Sequence, residues 1–219
     1  NEIFSQCIVK MISCSDDFVE QVRAPEDLVQ VSAKIRRFDF REQQIISEQG
    51  GILNIKEIMD AMGASKPMIV CNKTYDELPV QHIFDFYGIS VVRFQCGGSN
   101  AIFEDVVKGK ELFMSEGCDC LISVGGESTI NTAKCIKLSI PLDTINNNFE
   151  NEFKYSPVKH ISIPTEICLG TESTDFAEIN CGNEKIRVSH DSILPEYVIL
   201  DANLTRSQSF DKKKVLFFE

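Results

Sequence analysis

The stretch from Val124, "VGGESTINTAKCIKL", holds the residue types in this chain best suited to chemistry. Gly125 and Gly126 end an apolar run, and a helix-like pattern follows. Glycines at such a turn let the backbone approach a phosphate, and the free N–H groups of the helix start point at it. Ser128 offers a hydroxyl that can cap the helix or donate to phosphate. Glu127 disturbs the pattern. A unit charge about 5 Å from a phosphate, at an effective dielectric of about 20, costs roughly 3 kcal/mol, about a hundredfold in affinity. The same carboxylate in the first helical turn suits the helix dipole. The alternative here is a tight strand–helix turn with no ligand.

Such a turn holds a ligand when it lies at the carboxyl end of a strand in an open parallel sheet. "QQIISE" reads as a short strand before Gly50 and Gly51. Ile52, Ile55, Ile58 and Met59 then fall on one helix face. "PMIVCN" is a buried strand, "LPVQHIFDFYG" a helix ending at Gly88, and "ISVVRFQ" the next strand. "AIFEDVVKGKELFMSEG" is an amphipathic helix closed by Gly117. "CDCLISVGG" is a strand and "STINTAKCIKLS" a helix. Alternating apolar strands and helices predict a parallel sheet covered on both faces. After an Asn-rich loop over 141–157 come the strand "KHISIPT", a hairpin in "FAEINCGNEKIRVSH" turning at Gly182-Asn183, and a last strand "YVILD".

The chain has 219 residues, 43% hydrophobic and 25% charged, with a formal net charge of −11. That balance disfavours nucleic acid, whose phosphates need clustered Lys and Arg. No apolar run approaches the length of a membrane span, and no secretory leader is expected. The nine cysteines are scattered, without a CxxC pair. They read as reduced thiols of a cytoplasmic protein. A chain that opens on Asn1 and stops in "KKKVLFFE" reads as part of a longer one.

"VGGESTINTAK" resembles the "GGGSxxDxAK" signature of the iron-containing (group III) alcohol dehydrogenases. "GILNIKEIMDAMGASKPMIVCNKTY" is similar to that family's opening helix and cofactor strand. "SNAIFEDVVKGKELFMSEGCDCLISVGG" is similar to its next helix and strand. "HISIPTEICLGTESTDFAEI" resembles its "IPTTAGTGSExTxxAVI" loop, and "NEKIRVSHDSILPEYVILDANL" its hairpin and final strand. The motifs run in family order over about residues 43–219. "AKCIKL" and "EKIRVSHDSILPEYVILD" look closest to the phosphonoacetaldehyde reductase branch.

The resemblance implies an NAD(P)-binding domain followed by a helical domain that holds Fe²⁺ or Zn²⁺. It also implies hydride transfer between the cofactor and a small aldehyde or alcohol, with the metal polarising the carbonyl. Gly125, Gly126 and Ser128 match the pyrophosphate turn, Asn131 stands where the family has Asp, and Lys134 matches the motif lysine. Thr165 matches the first Thr of "PTT". Gly170, Thr171 and Glu172 match "GSE", and Lys185 matches a hairpin lysine that reaches the cofactor. Asn72 stands where many members keep an Asp on the ribose, which slightly favours NADP over NAD. Glu219 falls near the family's Asp ligand. His82, His160 and His190 match none of its histidine ligands, so the metal site is incomplete in these residues.

The expected fold is therefore α/β: a Rossmann-like parallel sheet with helices on both faces plus a β-hairpin, the family's C-terminal helical domain being missing. Residues 1–40 would be an N-terminal helical extension, 41–205 the NAD(P)-binding domain, and 206–219 the truncated start of the metal-binding domain. The function expected is the cofactor half of an NAD(P)-dependent, metal-assisted alcohol dehydrogenase or aldehyde reductase, in a homodimer, with these residues inactive by themselves. Glu127, Asn131, Cys168 and Leu169 motivate an alternative, a degenerate, non-catalytic Rossmann-like binding domain; Glu166 stands where the family has the second Thr of "PTT". A third reading keeps the architecture but takes the chemistry of dehydroquinate synthase or glycerol-1-phosphate dehydrogenase. The "PTEICLGTEST" and "SHDSILPEYVILD" stretches fit the alcohol dehydrogenases better.

Overall fold

The computed structural model describes residues 43–205, apart from Ser99, residues 143–154, Ile167 and Leu169. Expectations for residues 1–40, most of the Asn-rich loop, Leu169 and Glu219 lie outside the described residues. In chain order the elements are β1 (Gln44–Ser47), α1 (Ile55–Met62), β2 (Pro67–Cys71), α2 (Val80–Phe86), β3 (Val92–Gln95) and α3 (Phe103–Ser115). They continue with β4 (Cys120–Gly125), α4 (Glu127–Ser139), β5 (Lys159–Pro164), β6 (Phe176–Cys181), β7 (Glu184–Ser189) and β8 (Tyr197–Leu200).

Six strands form one sheet in the order β1-β8-β5-β4-β2-β3, every neighbouring pair parallel. β6 and β7 form a separate antiparallel hairpin, with Gly182 at φ 61° in the turn between them. β2 and β4 are buried along their whole length, and β5 at every residue but Lys159, because both faces are covered. Alternation along β2 sends Met68 and Val70 to one face and Ile69 and Cys71 to the other. The first face packs on Phe103, Val106 and Phe113 of α3 and on Ala133, Ile136 and Leu138 of α4. The second packs on Ile55, Ile58 and Met59 of α1 and on Val80 and Phe84 of α2. Ile55, Ile58 and Met59 thus form the helix face their spacing predicts, while Ile52 joins the same cluster from the 3-10 turn Gly51–Asn54 that precedes the helix.

Glycines at φ 68°, 64° and 63° follow α1, α2 and α3 as Gly63, Gly88 and Gly117. They end each helix in the left-handed conformation that costs glycine least. The hairpin lies over the sheet's first face. Asn180 donates its backbone N–H to Ala101 at 2.8 Å, and Ala177, Ile179 and Val188 join the apolar cluster around α3 and α4. This cover changes the nature of α4, in which every residue from Thr129 to Ser139 is buried.

Candidate functional site

The strand order reverses between β2 and β4. The chain moves outward from β2 to β3, then returns past β2 to β4 and β5. Crevices outside the carboxyl ends of strands at such a switch point take ligands in open α/β sheets. Asn72 follows β2 on one side of this crevice, and Gly125-Gly126 end β4 on the other.

The two glycines face different neighbours. A side chain at Gly125 would place its Cβ 2.5 Å from Thr129 Oγ1 and 2.8 Å from Thr129 Cβ, so the first turn of α4 itself fills that space. A side chain at Gly126 would place its Cβ 2.8 Å from Oε2 of Glu166 and 3.1 Å from its Cδ. Gly126 is the N-cap of α4, in extended conformation and without a side-chain cap. The cap is therefore Gly126 and not Ser128. The Ser128 hydroxyl instead donates to the carbonyl of Gly98 at 3.2 Å, tying the helix start to the loop after β3. That loop carries Gly97, whose N–H donates to Asp105 Oδ2 at 2.7 Å. Glu127, the anomaly of the sequence, is exposed.

Asn131 and Lys134 lie four and seven residues beyond Glu127, on the same face of α4. Asn131 is 5% exposed, and its Oδ1 is a buried acceptor with no hydrogen-bond partner. Lys134 is fully buried. Its ammonium donates to the carbonyl oxygens of Thr171, Thr174 (2.7 Å) and Phe176 (3.0 Å) and to Thr174 Oγ1 (3.0 Å). With four acceptors around three protons, this lysine is committed to the loop facing the crevice and presents no free donor to it. Burial pulls its pKa down to about 8, against the nearby charges of Glu172 and Asp175.

The facing loop starts where β5 ends. The N–H of Thr165, itself buried, donates to Gly125 O at 3.1 Å. Gly170 takes φ 87° and opens the short 3-10 turn Thr171–Ser173. Thr171 is buried with its carbonyl on Lys134. The Cys168 thiol is pushed up to about 12 by burial and by the carboxylates of Glu172, Glu166 and Glu127. Those three acids thus lie within electrostatic reach of one thiol.

Lys185 stands exposed on β7 in an ion pair with Glu178. Glu178 raises its pKa, and Glu127 adds to that, which places Lys185 within electrostatic reach of the helix start. Asn72 caps the short turn Lys73–Glu77, its Oδ1 accepting from Thr74 N at 3.1 Å and Thr74 Oγ1 at 2.7 Å. Beside it, Arg93 lies 4.8 Å from the centre of the Tyr75 ring and donates to both carboxylate oxygens of Asp76. This Arg93–Asp76 clamp has no sequence signal, because it joins a strand to a turn 17 residues away.

The histidines are dispersed. His82 is exposed on α2. His160 is wholly buried, its Nε2 2.9 Å from Ser123 Oγ. His190 Nδ1 accepts from the backbone N–H of Ser192 at 3.1 Å. Among the described residues no group of three His, Cys, Asp or Glu side chains is placed to hold a metal ion. The described residues do not fit the implied Fe²⁺ or Zn²⁺. The dinucleotide fares better. The glycine turn, the free helix start and the unpartnered Asn131 Oδ1 suit it, while Glu166 does not.

The fold defines an open, doubly wound α/β domain with a candidate site on a glycine turn at the topological switch point. The family "Iron-containing alcohol dehydrogenase" matches residues 42–202, and the chain belongs to that family. It is 27% identical over 165 residues to the NAD-dependent methanol dehydrogenase of Bacillus methanolicus, a match covering 71% of this chain and 43% of that protein. The fold is that of the iron-containing alcohol dehydrogenase from Thermococcus thioreducens, with a TM-score of 0.70 and 19% identity, over 81% of this chain and 50% of that one. It also matches sulfoacetaldehyde reductase from Bifidobacterium kashiwanohense, solved in complex with NAD⁺, with a TM-score of 0.70 and 23% identity, over 76% of this chain and 46% of that one. The chain thus spans half the length of these relatives or less.

Proposed function

We propose that this chain is the cofactor-binding half of an NAD(P)-dependent alcohol dehydrogenase or aldehyde reductase acting on a small aldehyde or alcohol. The observation that carries the reading is the glycine turn of β4. It opens into the start of α4, at the one reversal of strand order in the sheet. Backbone N–H groups there would bind the pyrophosphate. Asn131 Oδ1, buried and unpartnered, would accept from a carboxamide N–H at the nicotinamide end. Lys134 would act at one remove, by fixing the loop that closes the crevice. When bound, the nicotinamide supplies or takes the hydride.

Three finer readings belong to this proposal. "AKCIKL" and "EKIRVSHDSILPEYVILD" favour an aldehyde of the phosphonoacetaldehyde type. Asn72 in place of a carboxylate favours NADP over NAD; tighter binding of NADH than of NADPH would count against it. A cytoplasmic homodimer completes the reading. The seven cysteines among the described residues are all free thiols, as a reducing compartment would keep them.

The test is titration of the chain with NADPH and NADH, followed by cofactor fluorescence. Saturable binding that disappears in Gly126→Val supports the reading, while binding untouched by that change would place the ligand elsewhere.

A further inference from the structure

The sequence directs attention to Glu127 as the anion that spoils a phosphate cradle. The geometry points to another residue. Glu127 is exposed, whereas the carboxylate of Glu166 reaches across from the end of β5 and lies against Gly126, with Oε2 2.8 Å from where a Cβ would stand. Gly126 is the N-cap of α4, the residue whose backbone a pyrophosphate has to approach.

We propose that Glu166 is the specificity-determining residue of this crevice. Its carboxylate takes the position of a phosphate at the start of α4, and a dinucleotide binds only by displacing it. The inference rests on the reading of the turn as a pyrophosphate cradle. Three further observations support it. A carboxylate at a helix N-terminus is stabilised by the same N–H groups and dipole that hold a phosphate, so the two compete for one place. Among the described residues no hydrogen bond or ion pair holds the Glu166 carboxylate, so a dinucleotide phosphate can displace it without breaking one. Glu172 adds a buried, unpartnered Oε2 to the same loop, so the wall facing the helix start is rich in acceptors and short of donors. Lys134, the cation that sequence places here, is spent on backbone carbonyls and cannot offset the charge.

The consequence is a site that discriminates by charge. It holds polyanionic dinucleotides weakly, and the discrimination resides in one half-exposed side chain on the strand end rather than in the helix itself.

The experiment titrates NADH and NADPH, at fixed pH and salt, into the chain and into Glu166→Gln, Glu166→Thr and Glu127→Gln. Gln keeps the size of the side chain and removes its charge, and Thr restores the family's residue. Circular dichroism melts confirm that each variant is folded. Both Glu166 variants are expected to bind at least about tenfold more tightly than the unaltered chain, and Glu127→Gln less than about threefold. If the unaltered chain binds and the Glu166 variants match it within twofold, or if Glu127→Gln gains as much as they do, the inference is overturned while the cradle stands. If none of the four binds either dinucleotide, both fall.

Discussion

Lys134 Nζ donates to the carbonyl oxygen of Thr174 at 2.7 Å. This contact joins the helix after the glycine turn to the loop that faces it across 40 residues of sequence. Together with the bonds to Thr171 and Phe176 it makes one ammonium the anchor of the crevice wall.

Lys134→Met keeps the length of the side chain and removes the donors. It leaves three carbonyls and a hydroxyl without their partner, and the expected loss is about 2–4 kcal/mol. A urea unfolding curve reads it. A midpoint equal to that of the unaltered chain would mean that the lysine acts on ligand alone.

Gly125→Ala drives a Cβ into Thr129. Since the clash is with the stem of a buried side chain on the helix's own first turn, the expected destabilisation is about 1–3 kcal/mol. Thr129→Ala in the same chain should recover part of it, giving a coupling above about 0.5 kcal/mol in a double-mutant cycle. Strict additivity of the two changes would show that the glycine is there for a ligand only.

Lys137 is buried, and both carboxylate oxygens of Glu196 lie 3.0 Å from its Nζ. Glu196→Gln leaves that ammonium without its counter-charge and should cost about 3 kcal/mol, while adding Lys137→Met should bring stability back toward the starting value. Thermal melts of the three proteins decide it, and a double variant weaker than Glu196→Gln contradicts this account.

Stability should peak between about pH 6.5 and 8.5, the unfolded values of His and Cys. Burial, then the charges of Lys137 and Lys134, hold His160 well below its ordinary value. The unfolded chain therefore takes up a proton that the fold refuses, and stability present above about pH 6.5 is lost as the pH falls. Burial pushes Cys120 up and Cys135 up to about 12. The fold keeps protons that the unfolded chain releases, and stability present below about pH 8.5 is lost as the pH rises. Cys71, Cys96, Cys118 and Cys168 shift the same way. Lys134 and Lys137 are lowered and act oppositely, but they are two against six. Each fully buried thiol steepens the alkaline limb by about 1.4 kcal/mol per pH unit, so Cys135→Ala should flatten it. Denaturant midpoints that are level from pH 5 to 7 would remove the role given to His160.

The framework of the fold is legible in the sequence because it is written in local patterns. The apolar runs of β2, β4 and β5, the stripe through Ile55, Ile58 and Met59, and the turn at Gly182-Asn183 all lie where periodicity and turn chemistry put them. Sequence reading fails where burial is decided by a distant element. Lys134 and Lys137 are buried although their type suits a helix surface, Lys134 under the loop after β5 and the start of β6, Lys137 under the segment between β7 and β8. Ser128 looks like a helix cap because its type suits one, but the glycine before it already holds that place. The weight given to Glu127 over Glu166 has the same origin. Adjacency in sequence is visible from the chain, whereas the approach of a strand end to a neighbouring helix start requires the register of β4 with β5.

The eleven successive buried residues of α4 bear on how a bound ligand would be felt. Amides so enclosed exchange with deuterium only when a large part of the domain opens. The start of this helix is therefore attached to a segment expected to exchange slowly among the described residues. A ligand seated there should slow exchange along the whole of α4 and the strands beneath it, lengthening the lifetime of the native state rather than merely quieting a loop.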